Sequence, residues 1–187
     1  TSVASALTPM QSAFSNLDRF ISSYVEGREN EPDASDSGKV ILGNERLLTE
    51  YSHLIKGKRL GLVTNQTGVD SAMVKTVDKL YNYNEAELTA IYSPEHGLDG
   101  KTLAGKYVAS YTDKTLNLPV YSLYGETREP SKAMMENVDV MIFDMQDIGS
   151  RTYTYMSTLN YVMRAGKKYG KPVIILDRPN PIGGNTV

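Results

Sequence analysis

The chain contains 187 residues with a formal net charge of −2, and 40% of its side chains are hydrophobic and 22% charged. These proportions are ordinary for a globular protein and exclude a disordered chain or a coiled coil, and the charge leaves no basic field for gripping a nucleic-acid backbone. Cysteine is absent, which excludes disulfides, thiolate metal sites and a cysteine nucleophile.

Residues 1–38 are predicted to form an amino-terminal helix followed by an acidic linker. Phe14, Leu17 and Ile21 recur at helical spacing. The segment EGRENEPDASDSG (26–38) holds five acidic residues and no large apolar side chain, so burial cannot offset the entropy of ordering it. The chain begins without Met, which suggests a removed signal peptide. Its apolar runs are shorter than the ~18–20 residues of a membrane span, so we expect none in this chain.

The predicted main domain covers residues 39–187 and alternates helices with apolar strands. A first helix is capped by Asn44 and closes at Gly57. The predicted strands are runs rich in Val, Ile and Leu: Leu60–Thr64, Leu88–Tyr92, Pro119–Ser122, Val138–Phe143 and Val173–Leu176. Helical patterns lie between them over Val69–Leu80, Ser131–Glu136 and Tyr155–Gly166. This alternation predicts an α/β fold, a doubly wound, mostly parallel sheet with helices on both faces, in the Rossmann-like manner.

Polar loops follow each predicted strand, and in such a sheet ligands bind outside the carboxyl ends of the strands. The loops read TNQTG, SPEHG, LYGETREP, DMQDIGSRTYTY and DRPNPIGG, while the turns at the opposite end carry no comparable cluster. The pattern predicts a site for a polar small molecule at this edge. Asn65, Gln66 and Asn180 either face that ligand or satisfy loop backbone groups.

Glu95 and His96 are the favoured chemical pair, because they come directly after the second strand. A carboxylate in a cleft walled by other loops loses hydration, which raises its pKa toward the operating pH and suits a general acid. His96 orients Glu95, binds substrate or caps the following turn, and the sequence leaves these roles open.

Two further carboxylates, Asp144 and Asp147, follow the fourth strand. A single pair lacks the third and fourth oxygen ligands of a divalent cation site, so we expect no bound metal. Either these residues belong to the reactive site, or Asp144 binds backbone amides and Asp147 caps the next helix.

Arginines and tyrosines in the same loops offer binding groups. Arg151 and Arg178 each present a fork that grips a carboxylate, with a surface salt bridge as the alternative. Tyr124, Tyr153 and Tyr155 offer flat faces suited to sugar rings, although Tyr155 also falls on the apolar stripe of its helix.

A nucleotide cofactor is disfavoured by the loop after the first strand. TNQTGVD has one glycine where a dinucleotide loop has G-x-G-x-x-G, and the chain contains no P-loop lysine, G-x-S-x-G or H-E-x-x-H motif. We therefore expect no cofactor.

Taken together, the loop motifs resemble the exo-β-N-acetylmuramidase (NamZ) family, long known as DUF1343. The resemblance runs in order from about Val40 to Val187 through GKRLGLVTNQTGVD, SPEHGLDG, LPVYSLYGETREPS, VDVMIFDMQDIGSRTYTY and GKPVIILDRPNPIGG. It implies an exported bacterial glycoside hydrolase, extracellular or periplasmic, that removes terminal β-linked N-acetylmuramic acid from the non-reducing end of peptidoglycan fragments. It also implies that this chain is the amino-terminal domain and that a carboxy-terminal domain, forming the other wall of the cleft, is its missing partner.

The resemblance further implies site residues at matching positions. Glu95 matches the family's proposed catalytic glutamate, and His96 matches beside it. Around the substrate it places Asp144, Gln146, Asp147, Arg151, Tyr153, Arg178 and Asn180. Glycoside hydrolysis usually needs two carboxyls, so Glu95 as general acid is paired with Asp144, with Asp147 or with a residue of the absent domain. Arg151 or Arg178 is the fork expected to bind the lactyl carboxylate of the sugar.

A second hypothesis comes from another class of function. The domain is then a non-catalytic module that binds cell-wall sugars. Binding of a muropeptide or disaccharide without cleavage separates this hypothesis from the enzyme.

Overall fold

A computed structural model of the chain describes residues 40–183, so the amino-terminal helix and linker predicted for residues 1–38 lie outside the described residues. The helices are α1 (Gly43–Thr49), α2 (Thr76–Tyr81) and α3 (Tyr155–Tyr169), with a 3₁₀ turn at Ser52–Leu54. The strands are β1 (Arg59–Thr64), β2 (Glu87–Ser93), β3 (Tyr111–Asp113), β4 (Leu118–Ser122), β5 (Val140–Asp144) and β6 (Val173–Ile175). Between residues 40 and 183, no helix has the length and apolar character needed to cross a bilayer.

The six strands form one sheet in the order β3-β4-β2-β1-β5-β6. All neighbouring pairs are parallel except β3 and β4, which are antiparallel. The predicted doubly wound, mostly parallel sheet is therefore confirmed, and each of the five predicted strands is found within two residues of its expected bounds. The division into a 1–38 segment and a 39–187 domain stays a prediction.

Two apolar layers explain why the strands read as continuous hydrophobic runs. On one face, Leu60 and Leu62 of β1 pack with Leu80 of α2. On the other face, Val63 of β1 packs with Val162 of α3. All five side chains are buried, and burying one of this size stabilises the fold by about 1.5–3 kcal/mol. The sheet is thus covered on both sides, and its polar chemistry is confined to the strand ends.

The helix predicted over Val69–Leu80 begins only at Thr76. The Asp70 carboxylate accepts hydrogen bonds from the backbone N–H groups of Ala72 and Val74, both at 2.9 Å. Such side-chain bonds to nearby backbone offer the chain an alternative to the helical ladder. The first half of the prediction was wrong because Asp70 organises this segment as a loop.

The first helix also differs from its prediction. It ends at Thr49 rather than at Gly57. Asn44, the predicted cap, instead lies buried in the first turn, where its Nδ2 donates to Thr76 Oγ1 at 2.8 Å. The cap prediction was wrong because this amide ties α1 to α2. Just before it, a Cβ on Gly43 would lie 2.6 Å from the Asp177 backbone nitrogen, so the start of α1 abuts the loop after β6.

Two smaller differences remain. Residues Ser131–Glu136 form turns rather than the predicted helix, although the Met135 N–H does donate to the Ser131 carbonyl at 3.2 Å. Strand β3 was not predicted, since its three residues include no apolar run and none of them is buried.

An ion pair at the amino ends of β1 and β5 generates a prediction about stability and pH. Arg59 Nη2 and Nε donate to the Asp139 carboxylate at 2.8 and 3.1 Å, and the Arg59 N–H donates at 2.9 Å. These bonds, the side-chain ones above all, lower the pKa of Asp139 from 3.8 to about 2. A lowered pKa contributes stability above pH 3.8 that is lost as the pH falls toward 2.

We expect Asp139→Asn to reduce the free energy of unfolding at pH 6 and to reduce it less at pH 3, as measured by urea unfolding at both values. Glu136→Gln is the matched control, since the Glu136 side chain is exposed and forms no hydrogen bond or ion pair with residues 40–183. An equal loss at both pH values would contradict the linkage.

Candidate functional site

The carboxyl ends of β1, β2, β4, β5 and β6 lie at one edge of the sheet, because these strands are parallel. The five polar loops predicted from the sequence therefore meet there. The side chains of these loops differ in one respect. Some have hydrogen-bonding atoms that are already paired with other residues of the domain, and others have atoms without a described partner.

Glu95 lies where three loops converge. Its Oε1 accepts a hydrogen bond from the Gly105 N–H at 2.9 Å, and its Oε2 accepts one from Thr154 Oγ1 at 2.7 Å. The Tyr124 hydroxyl, in the loop after β4, is near enough to this carboxylate to lower its pKa. The contacts hold a single, half-buried carboxylate between the loops after β2 and β4 and the segment before α3.

The pKa of Glu95 is lowered, which corrects the expectation of a raised value. Burial is the largest influence and raises the pKa, but the hydrogen bonds from Gly105, Thr154 and Tyr124, together with the charge of His96, outweigh it. Each donor stabilises the ionised form. Glu95 is therefore an anion at neutral pH in this domain.

His96 closes the loop that carries Glu95. It adopts a left-handed backbone with φ of 71°, which is uncommon for a residue other than glycine, and Gly97 follows at 77°. His96 Nδ1 lies 2.8 Å from the Thr102 carbonyl oxygen, and the Thr102 N–H donates to the His96 carbonyl at 3.1 Å. Because a carbonyl can only accept, Nδ1 carries the proton. Of the three roles left open, these contacts support capping of the following turn.

Asp144 and Arg178 form a buried ion pair rather than an open site. Arg178 Nε donates to Asp144 Oδ1 at 2.7 Å, and the two side chains are 7% and 0% exposed. Asp144 Oδ2 accepts from Thr76 Oγ1 at 2.6 Å and from Asn44 Nδ2 at 3.4 Å. Arg178 Nη2 donates to the Val69 carbonyl at 2.8 Å. With these atoms occupied, the geometry gives no support to substrate contact by either residue.

Asp147 differs from Asp144 in having a carboxylate oxygen without a partner. Its Oδ1 accepts from the Gly149 N–H at 2.7 Å, whereas Oδ2 is buried and takes no hydrogen bond from any described residue. Gln146 Nε2 donates to the Asp147 and Pro179 carbonyls at 2.8 and 2.9 Å, which ties the loops after β5 and β6 together. Asn180 lies in the second of these loops, and a cavity of about 230 Å³ separates them.

Tyr153 and Tyr155 meet edge to face, with ring centroids 5.6 Å apart at 76°. Tyr155 is buried at the start of α3, and burial, followed by Tyr153, raises the pKa of its hydroxyl. The charges of Glu95 and Asp147 add to this rise. Arg151, in the preceding loop, is exposed and makes no hydrogen bond or ion pair with residues 40–183.

Asn65 and Gln66 serve the loop after β1 and also line a cavity. Asn65 Oδ1 accepts from the Thr67 N–H at 2.9 Å and from its hydroxyl at 2.6 Å, while the Gln66 amide packs against Gly100. The cavity has a volume of about 440 Å³, and its charged lining residues are Lys75, Asp78, Asp99, Lys101 and Asp113. Among residues 40–183, no group of three or more His, Asp or Glu side chains is arranged to hold a metal ion.

Sequence reasoning missed the donors that surround Glu95. Thr154 lies within the RTYTY stretch already singled out and was identifiable as a hydroxyl at the loop's end. Gly105 contributes only its backbone N–H, for which the sequence carries no signal. Asn44 and Thr76 were missed as partners of Asp144 because they are 100 and 68 residues away along the chain.

Comparison with known proteins identifies relatives of this domain. The family described as "Exo-beta-N-acetylmuramidase NamZ, N-terminal" matches residues 60–187. A protein of Bacillus subtilis (strain 168), named peptidoglycan beta-N-acetylmuramidase NamZ, is 48% identical over 149 residues, which are 80% of this chain and 36% of that protein.

Two crystal structures of DUF1343 family proteins from Bacteroides fragilis NCTC 9343 share the fold. One aligns with a TM-score of 0.71 at 44% identity over 79% of this chain and 36% of its own. The other aligns with a TM-score of 0.62 at 36% identity over 76% of this chain and 36% of its own. The chain thus spans about a third of the length of the relatives that it matches.

We expect Asp144→Ala to lower the free energy of unfolding by about 3–5 kcal/mol, because it leaves the Arg178 cation buried without a partner. Urea unfolding measures the loss. The double variant Asp144→Leu with Arg178→Met removes both charges and is expected to cost less than the single change. A single-variant loss within about 0.5 kcal/mol, typical of a surface change, would contradict the buried pair.

We expect Thr154→Val to raise the pKa of Glu95, since burial is then opposed by one donor fewer. A carboxyl ¹³C NMR titration measures the change. Thr152→Val is the matched control on the same loop, because the Thr152 hydroxyl pairs with Ser150 and not with Glu95. An unchanged or lower pKa in Thr154→Val would refute the assigned hydrogen bond.

Proposed function

Because the chain belongs to the exo-β-N-acetylmuramidase NamZ family, we propose that the full-length protein is a glycoside hydrolase acting on peptidoglycan fragments. Its reaction is the release of terminal β-linked N-acetylmuramic acid from the non-reducing end, outside the cytoplasmic membrane, where peptidoglycan lies. The observation that carries this proposal is the convergence of three loops on the Glu95 carboxylate. The matched Bacillus subtilis relative continues beyond the third of its length that this chain covers, and we propose that a corresponding part of the full-length protein forms the other wall of the cleft.

Glu95 is proposed as the general acid, although it is ionised in this domain. Burial is already the largest influence on its pKa and acts to raise it. A sugar seated on the loops removes water and increases that influence, so the carboxylate takes up a proton on binding. Glu95 then protonates the glycosidic oxygen, and His96 keeps its loop closed.

Asp147 is proposed as the second carboxyl, in preference to Asp144. Its Oδ2 has no hydrogen-bond partner among the described residues, and its charge is felt at Tyr155 together with that of Glu95. Asp144, by contrast, is saturated by Arg178, Thr76 and Asn44. Asp147 thus has the free oxygen needed to attack the sugar or to activate water.

The test uses the full-length protein and a muramyl-glucosamine disaccharide. We expect Glu95→Gln to lower the rate of N-acetylmuramic acid release by about 10²–10⁴-fold, as loss of a general acid does, while the disaccharide still binds. Asp147→Asn is expected to be impaired as well, and the exposed Glu136→Gln is the control. Unchanged turnover in Glu95→Gln would remove Glu95 from the mechanism.

Binding and cleavage are followed together, so that the second candidate function is tested in the same experiment. If the unmodified protein binds the disaccharide and releases no sugar, the enzyme proposal fails and a sugar-binding module is the better description. If Glu95→Gln is inactive while Asp147→Asn is fully active, Asp147 is not the second carboxyl, and Asp144 or a residue beyond this chain takes that role.

A further inference from the structure

Arg128 is an uncompensated cation beside the Glu95 loops. Its guanidinium carbon lies 4.5 Å from the centroid of the Tyr124 ring, and the side chain makes no hydrogen bond or ion pair with residues 40–183. Between those residues, four other arginines have acidic partners: Arg46, Arg59, Arg164 and Arg178. Arg151 has neither an acidic partner nor a ring to hold it. Arg128 is therefore positioned, yet its N–H donors are unused.

Tyr124 connects this cation to Glu95. Its ring face contacts Arg128, and its hydroxyl is near enough to the Glu95 carboxylate to lower the pKa of that group. The backbone of Tyr124 is fixed as well, because its N–H donates to Ser122 Oγ at 3.1 Å and its carbonyl accepts from the Val108 N–H at 3.3 Å. Tyr124 thus lies beside both the guanidinium and the proposed general acid.

The loop that carries Arg128 is closed on itself. Thr127 Oγ1 donates to the Glu129 carbonyl at 2.7 Å and accepts from the Glu129 N–H at 3.2 Å. The Glu129 carboxylate turns away toward Arg164 and Lys168, at 3.4 and 3.9 Å. The neighbouring acid therefore does not neutralise Arg128.

We propose that Arg128 binds the lactyl carboxylate of N-acetylmuramic acid and so determines specificity, an inference that rests on the proposed function. The lactyl ether at C3 and the glycosidic oxygen at C1 lie on one sugar ring, so a single sugar can present the first group to Arg128 and the second to Glu95. Stacking on Tyr124 covers one face of the guanidinium. The N–H groups along its edge stay available for a bidentate hydrogen bond to the carboxylate.

Arg128 replaces both arginines expected from the sequence. The Arg178 side chain is 7% exposed, and its Nε and Nη2 are committed to Asp144 and to the Val69 carbonyl. Arg151 would have to be ordered on binding, which costs side-chain entropy, whereas the ring of Tyr124 already orders Arg128.

The experiment compares two aryl β-glycosides, of N-acetylmuramic acid and of N-acetylglucosamine, which differ by the lactyl group. In the full-length protein, Arg128→Met is expected to lower kcat/KM for the muramyl substrate by about 10–100-fold, the size expected for lost hydrogen bonds to a charged group. Cleavage of the glucosaminyl substrate is expected to be unchanged, and Arg128→Lys, which keeps the charge without the fork, is expected to be intermediate. Arg46→Met is the matched control, since Arg46 also stacks on a tyrosine, Tyr51, at 5.6 Å, and belongs to α1 rather than to the loop that carries Arg128.

Titration of the free sugars separates failure of this inference from failure of the proposed function. If the unmodified protein cleaves neither glycoside, the proposed function fails, and weaker binding of N-acetylmuramic acid by Arg128→Met, with N-acetylglucosamine unaffected, still supports Arg128. Equal losses on both sugars would overturn the inference, as would an unchanged Arg128→Met. A selective loss confined to Arg151→Met would assign the lactyl group to Arg151 instead.

Discussion

The buried pair between Asp144 and Arg178 is the interaction on which the arrangement of the loops depends. Asp144 ends β5, a strand inside the sheet, and Arg178 lies in the loop after β6. Asn44 of α1 and Thr76 of α2 donate to the same carboxylate. Charges buried away from water are stable only when they are fully paired. A shift of any one of these elements would leave a buried charge without a partner, which is strongly destabilising. One carboxylate thereby fixes two helices and a loop.

This cluster also explains why similar residues at one edge do different things. Asp144 and Asp147 are three positions apart, yet one has both oxygens occupied and the other has a buried oxygen without a partner among residues 40–183. Arg178 and Arg128 also differ, since Arg178 pairs with a buried carboxylate and Arg128 has no acidic partner among residues 40–183. Asp144 and Arg178 are thus part of the scaffold, and Asp147 and Arg128 are the members for which we propose a role at the ligand. Residue type alone does not distinguish them, whereas the hydrogen-bond partners do.

The sheet was predictable because its strands are buried on both faces, which leaves continuous apolar runs such as that of β5 in the sequence. The bounds of the helices were less predictable, because Asp70 and Asn44 form side-chain hydrogen bonds that leave no trace in the spacing of apolar residues. The sequence predicted where the residues around the site lie, but it did not predict their hydrogen-bond partners or the direction of their pKa shifts. Glu95 was found at its strand end, but the direction of its pKa depends on Thr154, 59 residues further along the chain.

The closed turn at His96 places Glu95 and one of its donors within a single short stretch of chain. His96 Nδ1 donates to the Thr102 carbonyl, and the Thr102 N–H donates back to the His96 carbonyl, so residues 96–102 form a closed loop. Gly105 follows three residues later, and its N–H donates to Glu95 Oε1. This half of the carboxylate's surroundings is therefore encoded locally, within eleven consecutive residues, whereas the donor Thr154 comes from a distant part of the chain.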